Sequence, residues 1–438
     1  MKTESAYERA LRYSRDFGGK VGMFPKVPIT SLDDFAVWYT PGVAAVSRRV
    51  DENPDDSFTL TNRWNTAAIV SDGSRVLGLG RLRPEAALPV LEGKALLFKY
   101  LGGVDAIPLS IRAPDPDAFV RVVEALEPSF GAINLEDIES PKCFYILEEL
   151  RRRLSIPVWH DDQLGTAGVV LAALYGALDV VGRRLGDVRI TLLGAGAANI
   201  ATARILREAG ADLGKMRIVD SRGILHPERE DIDELLLKNR WKYELAIESN
   251  RDRVRGGVEE ALRDADVLIA ASRPGPGVVR PEWVRSMAKD PIVFALANPV
   301  PEIMPQEALE AGAAVVATGR SDFPNQVNNS LLFPSMFRGI LDVRGTAITD
   351  ELVVAAAREI YNYTRETGLS RDRIVPTMME WEVYPRVAAA VGEAAIRLGL
   401  ARKHLSRSEL LERARQGVSG VRRLMEVLLA SGLLPRIQ

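Results

Sequence analysis

Two pairs of acidic residues stand out because each directly follows a short apolar run of the kind that forms a buried strand. Glu136-Asp137 follows "AINL", and Asp161-Asp162 follows "IPVWH". Neighbouring carboxylates repel and raise one another's pKa unless a cation lies between them. Mg²⁺ and Mn²⁺ prefer carboxylate oxygens, so Glu136, Asp137 and one member of the second pair could supply three ligands. The alternative is that both pairs are solvated loop ends.

Other side chains near these pairs could carry protons. Lys94 lies in "VLEGKALLF", where an apolar setting would lower the pKa of its ammonium group toward that of a useful base. Tyr39, in "VWYTPGVA", could act as an acid, although such a tyrosine is more often simply packed. For His160 we favour a packed, hydrogen-bonded ring over a proton carrier. The single cysteine, Cys143, is expected to be a buried and inert thiol.

The segment "LLGAGAANIA" places Gly194 and Gly196 between a predicted strand and a predicted helix. Gly194 would permit a tight turn, and Gly196 would let the backbone approach a pyrophosphate at the helix N-terminus. The next strand ends at Asp220, which could accept hydrogen bonds from ribose hydroxyls. Arg222 could instead bind a 2′-phosphate, so the choice between NAD and NADP stays open, as does a purely structural turn. Asn199 replaces the usual third glycine, which predicts looser packing of helix on strand.

Alternating strand and helix signals from about residue 130 indicate a parallel sheet covered by helices, and this sheet would position the groups above. Ser140 is expected to cap the helix that follows the first acidic pair, with Pro141 at its first position. Later strands lead into Ser272 and Asn298, at the carboxyl ends where open α/β sheets bind ligands. The predicted fold is α/β: an N-terminal α/β domain, a Rossmann-type dinucleotide-binding domain with a parallel sheet, and a helical C-terminal tail.

Length and composition limit the class of protein. A chain of 438 residues is too long for one ordinary core, and we divide it at residues 1–160, 161–385 and 386–438. The net charge of −2 gives no reason to expect nucleic acid or an anionic membrane as a partner. No apolar run reaches the roughly 18 residues that span a bilayer. The absence of a signal-peptide pattern and the single cysteine predict a cytoplasmic location.

Taken together, these segments resemble the malic enzyme family in its short prokaryotic form. They occur in the family's order over roughly residues 15–385, and no single one would suffice. The matching stretches are "YTPGVA" (39–44), "SDGSRVLGLG" (71–80), "LPVLEGKALLFKYLGGVDA" (88–106), "NLEDI" (134–138), "HDDQLGTA" (160–167), "LLGAGAA" (192–198), "VDSRG" (219–223), "ALANP" (295–299) and "ATGRSDFPNQVNNSLLFP" (317–334).

The resemblance implies oxidative decarboxylation of L-malate to pyruvate and CO₂, with reduction of NAD or NADP, a bound Mg²⁺ or Mn²⁺, and a homodimer. It implies roles for thirteen residues and one glycine turn. The catalytic positions are Tyr39, Lys94 and Asp161. The metal ligands are Glu136, Asp137 and Asp162. The substrate-binding positions are Arg75, Asn298, Asn328 and Asn329. The cofactor-binding positions are Gly194, Ala195, Gly196, Ala197, Ala198, Asp220, Arg222, Ser272 and Asn298.

Three positions depart from the family pattern: Arg81 replaces an acid in "GLGRLRP", Leu164 ends "HDDQL", and Asn199 ends the glycine turn. These departures concern cofactor contacts and regulation more than the chemistry. Three rival functions stay open: a malolactic-type lyase that retains its cofactor, a metal-independent hydroxy-acid dehydrogenase, and a non-catalytic nucleotide-sensing module. The sequence hardly separates the lyase from the oxidative enzyme, because their site residues would be alike.

Overall fold

The computed structural model describes residues 5–434, and the chain forms two β-sheets covered by helices. The first sheet is built from β1 (Thr66–Ser71), β2 (Asp105–Ser110), β3 (Ala132–Leu135) and β4 (Val158–His160). Its strand order is β2-β1-β3-β4, and every pair is parallel. All four carboxyl ends therefore meet at one edge of the sheet, which we call the carboxyl edge.

In the second sheet the order of the strands reverses at one position, which we call the switch point. Its strands are β5 (Ile190–Leu193), β6 (Met216–Asp220), β7 (Gly223–Ile224), β8 (Val267–Ala270), β9 (Ile292–Ala295) and β10 (Val315–Thr318), in the order β10-β9-β8-β5-β6-β7. Only the short β7 pairs antiparallel within this described sheet. The strand order reverses at β5, and such a reversal opens a crevice at the carboxyl ends of the strands. The predicted α/β fold class is confirmed.

Helices fill the connections and the C-terminal region. Their bounds are α1 Ala6–Phe17, α2 Leu32–Trp38, α3 Val43–Glu52, α4 Ser57–Leu60, α5 Leu88–Gly102, α6 Pro116–Leu126, α7 Lys142–Arg153, α8 Thr166–Val180, α9 Ala197–Glu208, α10 Ile232–Lys238, α11 Arg240–Glu248, α12 Val258–Leu262, α13 Pro281–Arg285, α14 Pro305–Glu310, α15 Phe333–Asp342, α16 Asp350–Gly368, α17 Val383–Arg397 and α18 Arg407–Ala430.

The helices that follow the second sheet return to the first one and pack against α5. The ring of Phe98 lies 4.6 Å from that of Phe333 and 4.8 Å from that of Phe337, measured between centroids. At Gly103, whose φ is +65°, an added Cβ would lie 2.9 Å from the carbonyl carbon of Gly417. Only glycine permits this close approach of α18. The predicted helical tail is confirmed, and its helix α18 packs against α5, the helix that carries Lys94.

One helical stretch, Asp161–Val180, is long and apolar enough to cross a membrane by length and composition, which the sequence analysis did not expect. Of its most apolar 18 residues, 78% are buried. The packing of α8 against α9 and α16 accounts for its apolar character.

The start of α7 differs from the prediction. Ser140 does not cap the helix; Pro141 occupies the N-cap position, and no side chain accepts a capping hydrogen bond there. The Nζ of Lys142, the first helical residue, instead donates to Asp72 at 2.6 Å. An ion pair to the end of β1 thus holds this helix start, in place of a local hydroxyl cap.

Candidate active site

Three carboxylates converge at the carboxyl edge of the first sheet. Glu136, Asp137 and Asp162 each place one oxygen within 4.8 Å of the other two. The reason is the strand register: Leu135 of β3 lies opposite His160 of β4, so the residues that follow both strands become neighbours. We call these three residues the acidic cluster.

The backbone turns Asp137 so that two adjacent side chains can face the same point. Its φ is +54°, and its peptide N–H donates to the Asp162 carboxylate at 3.0 Å. One Asp137 oxygen accepts from the peptide N–H of Leu77 at 3.2 Å, while the other is buried without a hydrogen-bond partner among the described residues. Glu136 accepts from the Asn134 side chain at 3.0 Å. The arrangement leaves a buried carboxylate oxygen free for a ligand.

The electrostatics of the acidic cluster favour a cation. Burial, together with the neighbouring carboxylates, raises the pKa of Glu136 well above its ordinary value. Burial and the charge of Asp162 raise the pKa of Asp137 to about 7. The side chain of Asp162 is 38% exposed, so the cluster opens to solvent on that side. A divalent ion would remove the repulsion, and its preferred donors are those present.

Lys94 adjoins the cluster, but its charge state differs from the prediction. Its Nζ lies 2.9 Å from a Glu136 oxygen, forms an ion pair with Asp161, and lies 4.5 Å from the centre of the Phe333 ring. Burial alone would lower the pKa of Lys94, as expected from its apolar sequence neighbours. Asp161 and Glu136 more than offset burial and raise this pKa above its ordinary value. The predicted lowering is therefore wrong for the structure as described.

Asp161 is completely buried and held on three sides. It accepts a hydrogen bond from the indole Nε1 of Trp159 at 2.9 Å, and it also accepts from Lys94 and from the side-chain amide of Asn329. Asn329 thus contacts Asp161 through its side-chain amide, and its role in substrate binding stays a prediction. A Cβ at Gly165 would collide with the Asp161 carboxylate, so the widened helical turn Asp161–Gly165 requires glycine there. Trp159 and Gly165 are not among the site residues predicted from the sequence.

The histidine and the cysteine are both buried. The His160 ring is packed as expected, yet neither ring nitrogen has a hydrogen-bond partner among the described residues, so the hydrogen-bonded part of that prediction is wrong. Burial lowers the pKa of His160 to about 3, which makes the ring neutral. Burial raises the pKa of the Cys143 thiol, in keeping with an inert side chain.

The structure does not bring Tyr39 to the cluster within one chain. This residue is the C-cap of α2, and it is 71% exposed. Its described hydrogen bonds are backbone contacts with Phe35 and Val43. None of the hydrogen bonds or ion pairs described for residues 5–434 joins Tyr39 to an acidic residue of the cluster.

The remaining substrate candidates lie in different settings. Arg75 is exposed beside the cluster, and its peptide N–H donates to the carbonyl of Asp137 at 3.0 Å. Asn298 is exposed after β9. Asn328 accepts from the peptide N–H of Ser330 at 2.9 Å and so caps a short helical turn. Arg75 and Asn298 are free to meet a ligand, whereas the Asn328 oxygen is already bonded.

The predicted glycine turn lies at the switch point of the second sheet. Gly194 has a φ of +99°, and a Cβ there would collide with the carbonyl of Ala271. Gly196 has open space where a Cβ would be, directly before α9 begins at Ala197. The turn therefore presents free backbone at a helix N-terminus, which suits a pyrophosphate. Ala195 and Ala198 complete it.

Asn199 does not loosen the turn as predicted. Its side-chain amide donates to the carbonyls of Leu193 and Gly194 at 2.9 and 3.0 Å, and the residue is buried. A polar side chain here ties helix to strand through hydrogen bonds, where a glycine would allow direct backbone packing.

Cations surround Asp220 at the end of β6. It accepts from Arg229 at 3.0 Å, from Lys242 at 3.2 Å and from the peptide N–H of Arg222 at 2.9 Å. Burial opposes ionisation, but Arg229 and the other donors hold the pKa of Asp220 below its ordinary value. The Arg222 side chain pairs with Asp231 at 3.1 Å. Acidic and basic side chains thus lie together at the place where we expect the adenosine ribose of the cofactor to bind.

A buried glutamate that the sequence analysis missed links two strand ends. Glu302 accepts from both the peptide N–H and the hydroxyl of Ser272, at 2.8 and 3.0 Å, and from the peptide N–H of Ala297 at 3.0 Å. Its signal was one acidic residue in the otherwise apolar "NPVPEIMP". Ser272 and Ala297, the residue before Asn298, are thereby held at the carboxyl ends of β8 and β9.

The two parallel sheets, the glycine turn and the lysine beside clustered carboxylates define a dinucleotide-binding enzyme of two α/β units. Residues 19–114 and 112–151 match the family model described as malic enzyme, N-terminal domain, and residues 164–396 match malic enzyme, NAD binding domain. The chain therefore belongs to the malic enzyme family.

Individual relatives agree with this membership. The chain is 44% identical to the bifunctional malic/malolactic enzyme of Bacillus subtilis, covering 94% of this chain and 98% of the relative. It is 46% identical to the NAD-dependent malic enzyme of Geobacillus stearothermophilus (88% and 78%) and 40% identical to the NADP-dependent malic enzyme of Halomonas elongata (92% and 96%). The crystal structure of Entamoeba histolytica malic enzyme superposes with a TM-score of 0.95 at 43% identity, covering 99% of this chain and 90% of that one.

The predicted family and enzyme class are confirmed: this is a malic enzyme, which decarboxylates malate oxidatively with NAD or NADP.

Proposed function

We propose that Glu136, Asp137 and Asp162 hold one Mg²⁺ or Mn²⁺ at which L-malate is converted to pyruvate and CO₂. The observation that carries this proposal is the convergence of one oxygen from each residue within 4.8 Å, with a buried Asp137 oxygen left without a partner. When bound, such an ion acidifies a substrate hydroxyl and stabilises an enolate oxygen.

Lys94 and Asp161 form the proton-transfer pair of this proposal. Lys94 Nζ would act as the base in its neutral form, and would take the proton of the C2 hydroxyl as the bound dinucleotide takes up hydride. A divalent ion on Glu136 would offset the carboxylate charge that, together with Asp161, raises the pKa of Lys94 in the metal-free site. Asp161 orients Lys94, and Trp159 and Asn329 in turn fix Asp161. Tyr39 would donate a proton to C3 after CO₂ is lost, which completes pyruvate. Because Tyr39 lies away from the cluster within one chain, this role depends on the homodimer proposed below.

Substrate and cofactor would meet between the two sheets. The planar guanidinium of Arg75 suits a malate carboxylate, and Asn298, Asn328 and Asn329 border the same region. The dinucleotide pyrophosphate would lie on the turn Gly194–Ala198, with the adenosine ribose toward Asp220 and Arg222. Ser272 and Asn298 would face the nicotinamide end. The balance of charge at Asp220 leaves both NAD and NADP as candidates.

The chain is further proposed to act as a cytoplasmic homodimer. A single buried cysteine suits a reducing compartment. The exposed apolar residues of the N-terminal region support self-association.

The deciding experiment measures steady-state L-malate oxidation with NAD and with NADP, each with Mg²⁺, with Mn²⁺ and after exhaustive chelation. We expect reduced cofactor and pyruvate only when a divalent ion is present. Undiminished turnover after chelation would contradict the metal site and favour a metal-independent hydroxy-acid dehydrogenase.

A second activity is supported by the Bacillus subtilis relative, whose name includes a malolactic function. A malolactic reaction would release lactate, because the cofactor stays bound after taking hydride from malate and returns that hydride to pyruvate. Assaying lactate beside free reduced nicotinamide in the same reaction separates the two outcomes.

A further inference from the structure

A cavity lies at the carboxyl edge of the first sheet, beside the acidic cluster but separate from it. Its volume is about 570 Å³, within the range of pockets that bind small organic ligands. The residues that line it follow β1, β2 and β3 or lie in α6 and α7. None of the residues with a role in the proposed reaction is among them. We call it the side cavity, and the proposed reaction leaves it without a function.

Three basic side chains line the side cavity, and they come from separate segments of the chain. Arg81 belongs to the loop after β1, Arg112 follows β2, and Lys142 begins α7. Arg81 is the residue at which the sequence departs from the family pattern by replacing an acid. The departure therefore changes the charge of this cavity and leaves the proton carriers and the acidic cluster as they are.

Each arginine is held by a single hydrogen bond. One Nη of Arg81 donates to Glu139, and one Nη of Arg112 donates to Glu85. Among the residues that the structure describes, these are the only hydrogen bonds of the two guanidinium groups. The arginine side chains are 66% and 80% exposed, and exposed pairs of this kind contribute little to stability. A guanidinium has five N–H donors, so both groups keep donors for a ligand.

The acidic side chains of the lining are engaged within the protein. Asp72 accepts from Lys142 Nζ and from the hydroxyl of Ser74, each at 2.6 Å. Asp115 is the N-cap of α6 and accepts from the peptide N–H of Ala118 at 2.7 Å. Glu139 is the partner of Arg81. Because the acceptors are engaged and the arginine donors are in excess, the side cavity favours an anion over a cation.

Two helix N-termini at the side cavity add to its positive character. Both α6 and α7 begin among the lining residues, at Pro116 and Lys142. The first peptide N–H groups of a helix have no partner within it and carry a partial positive charge. No side chain caps α7. The helix ends and the basic side chains thus favour the same sign of ligand.

Apolar and rigid residues complete the lining. Phe119 and Ile146 line the side cavity and are buried in the core. Pro84, Pro114 and Pro116 form further parts of the wall, and the ring of proline fixes φ. A wall of this kind is formed before a ligand arrives, which reduces the entropy lost on binding. A ligand with an apolar body would suit it.

We propose that the side cavity binds a small organic dianion, an apolar body that carries either a phosphate group or two carboxylates, on Arg81 and Arg112. The negative groups take the place of the Glu139 and Glu85 carboxylates at these arginines, while Lys142 keeps its pair with Asp72. This inference is independent of the catalytic roles proposed above.

The test is isothermal titration calorimetry of the full-length protein at pH 8 with phenyl phosphate, in which a dianion is attached to an apolar ring. We expect a Kd below about 1 mM for a ligand of this size. Phthalate is titrated in parallel: the tighter of the two identifies a phosphate ester or a dicarboxylate as the class. Inorganic phosphate, which lacks the apolar body, should bind at least tenfold more weakly, and benzylamine, a cation, should not bind.

Variants locate the bound anion. Arg81→Asp restores the acid of the family pattern and should weaken phenyl phosphate binding at least tenfold. Arg112→Ala removes a mostly exposed side chain and should do the same with the fold intact, as circular dichroism would verify. Arg121→Asp reverses an exposed charge of α6 that is not part of the lining, so it should leave the Kd unchanged.

Saturating NAD with Mg²⁺ should also leave the Kd unchanged, because the side cavity is separate from the cofactor crevice. Four results would overturn the inference: no binding of either dianion, an unaltered Kd in both arginine variants, binding of benzylamine in place of the anions, or loss of binding in the presence of NAD. Malate oxidation measured on the same preparation reports on the proposed function separately.

Discussion

At the scale of single residues, long-range neighbours decide the chemistry of this site. Lys94 lies among apolar residues in the sequence, and that pattern predicts a weakened ammonium. In the fold, Asp161 and Glu136 meet it from positions far along the chain and reverse the direction of its pKa shift. Residue types at the site could be predicted from the sequence, but their charge states depend on partners that only the sheet brings together.

Removing Lys94 or one carboxylate of the cluster tests the assignments at this scale. We expect Lys94→Ala and Asp162→Ala each to lower turnover of malate by about two orders of magnitude or more, measured as kcat with saturating metal and cofactor. Lys99→Ala, which removes a half-exposed lysine on the same helix, is the control and should retain activity. Near-normal kcat in either site variant would refute its role.

Asp220 allows a test of cofactor choice. Its removal frees Arg229 and Lys242, which now bond to it, to bind a 2′-phosphate. We expect Asp220→Ala to raise the ratio of kcat/KM for NADP to that for NAD about tenfold, a change of about 1.4 kcal/mol. Glu248→Ala removes one exposed charge of the same sign from the same domain and should leave the ratio unchanged. An unaltered ratio in Asp220→Ala would place the ribose elsewhere.

At the scale of elements, the strands and the positions of their ends can be predicted from the sequence, but the group that caps a helix cannot. The sequence predicts the strands that precede Glu136 and Asp161, and the structure contains both. The cap at Ser140 failed because Lys142 binds Asp72, 70 residues earlier in the chain. A hydroxyl beside a proline indicates a helix start only when no distant partner takes over that function.

The widened turn Asp161–Gly165 is the element that aims the second acidic pair. Gly165→Ala would force the Asp161 carboxylate away, because the added methyl group would occupy its position. We expect malate turnover to fall at least tenfold while circular dichroism stays native, since a 1.4 kcal/mol loss of alignment energy suffices for that factor. Gly93→Ala, in α5 with no neighbouring atom within 4 Å, should leave kcat unaffected. Equal activity of both variants would show that the turn does not position Asp161.

At the scale of the whole molecule, metal binding should stabilise the fold. A ligand that binds only the native state adds RT ln(1 + [L]/Kd), about 2.7 kcal/mol at a hundredfold excess over Kd. We expect Mn²⁺ to raise the Tm by on the order of a few degrees and chelation to reverse this. Asp162→Asn should lose the shift, whereas Glu149→Gln, a surface carboxylate paired with Arg152, should keep it. A shift retained in Asp162→Asn would exclude that residue as a ligand.

The exposure of Tyr39 could not be predicted from the sequence, for a physical reason. The apolar pattern of "VWYTPGVA" is as compatible with a packed segment as with an exposed one, because the pattern does not encode what covers it.

The stretch from Asp161 to Val180 also constrains how this protein can change over evolutionary time. Two aspartates of the site begin a continuous helical segment whose continuation, α8, packs against α9 behind the glycine turn and against α16. Inserting or deleting one residue in a helix rotates everything beyond it by about 100°. Many side chains in this stretch could therefore be replaced during evolution. A change in the number of residues between 161 and 180 would instead rotate the aspartates relative to the packed part of α8 and move them away from Glu136. The length of this stretch is thus constrained by the active site.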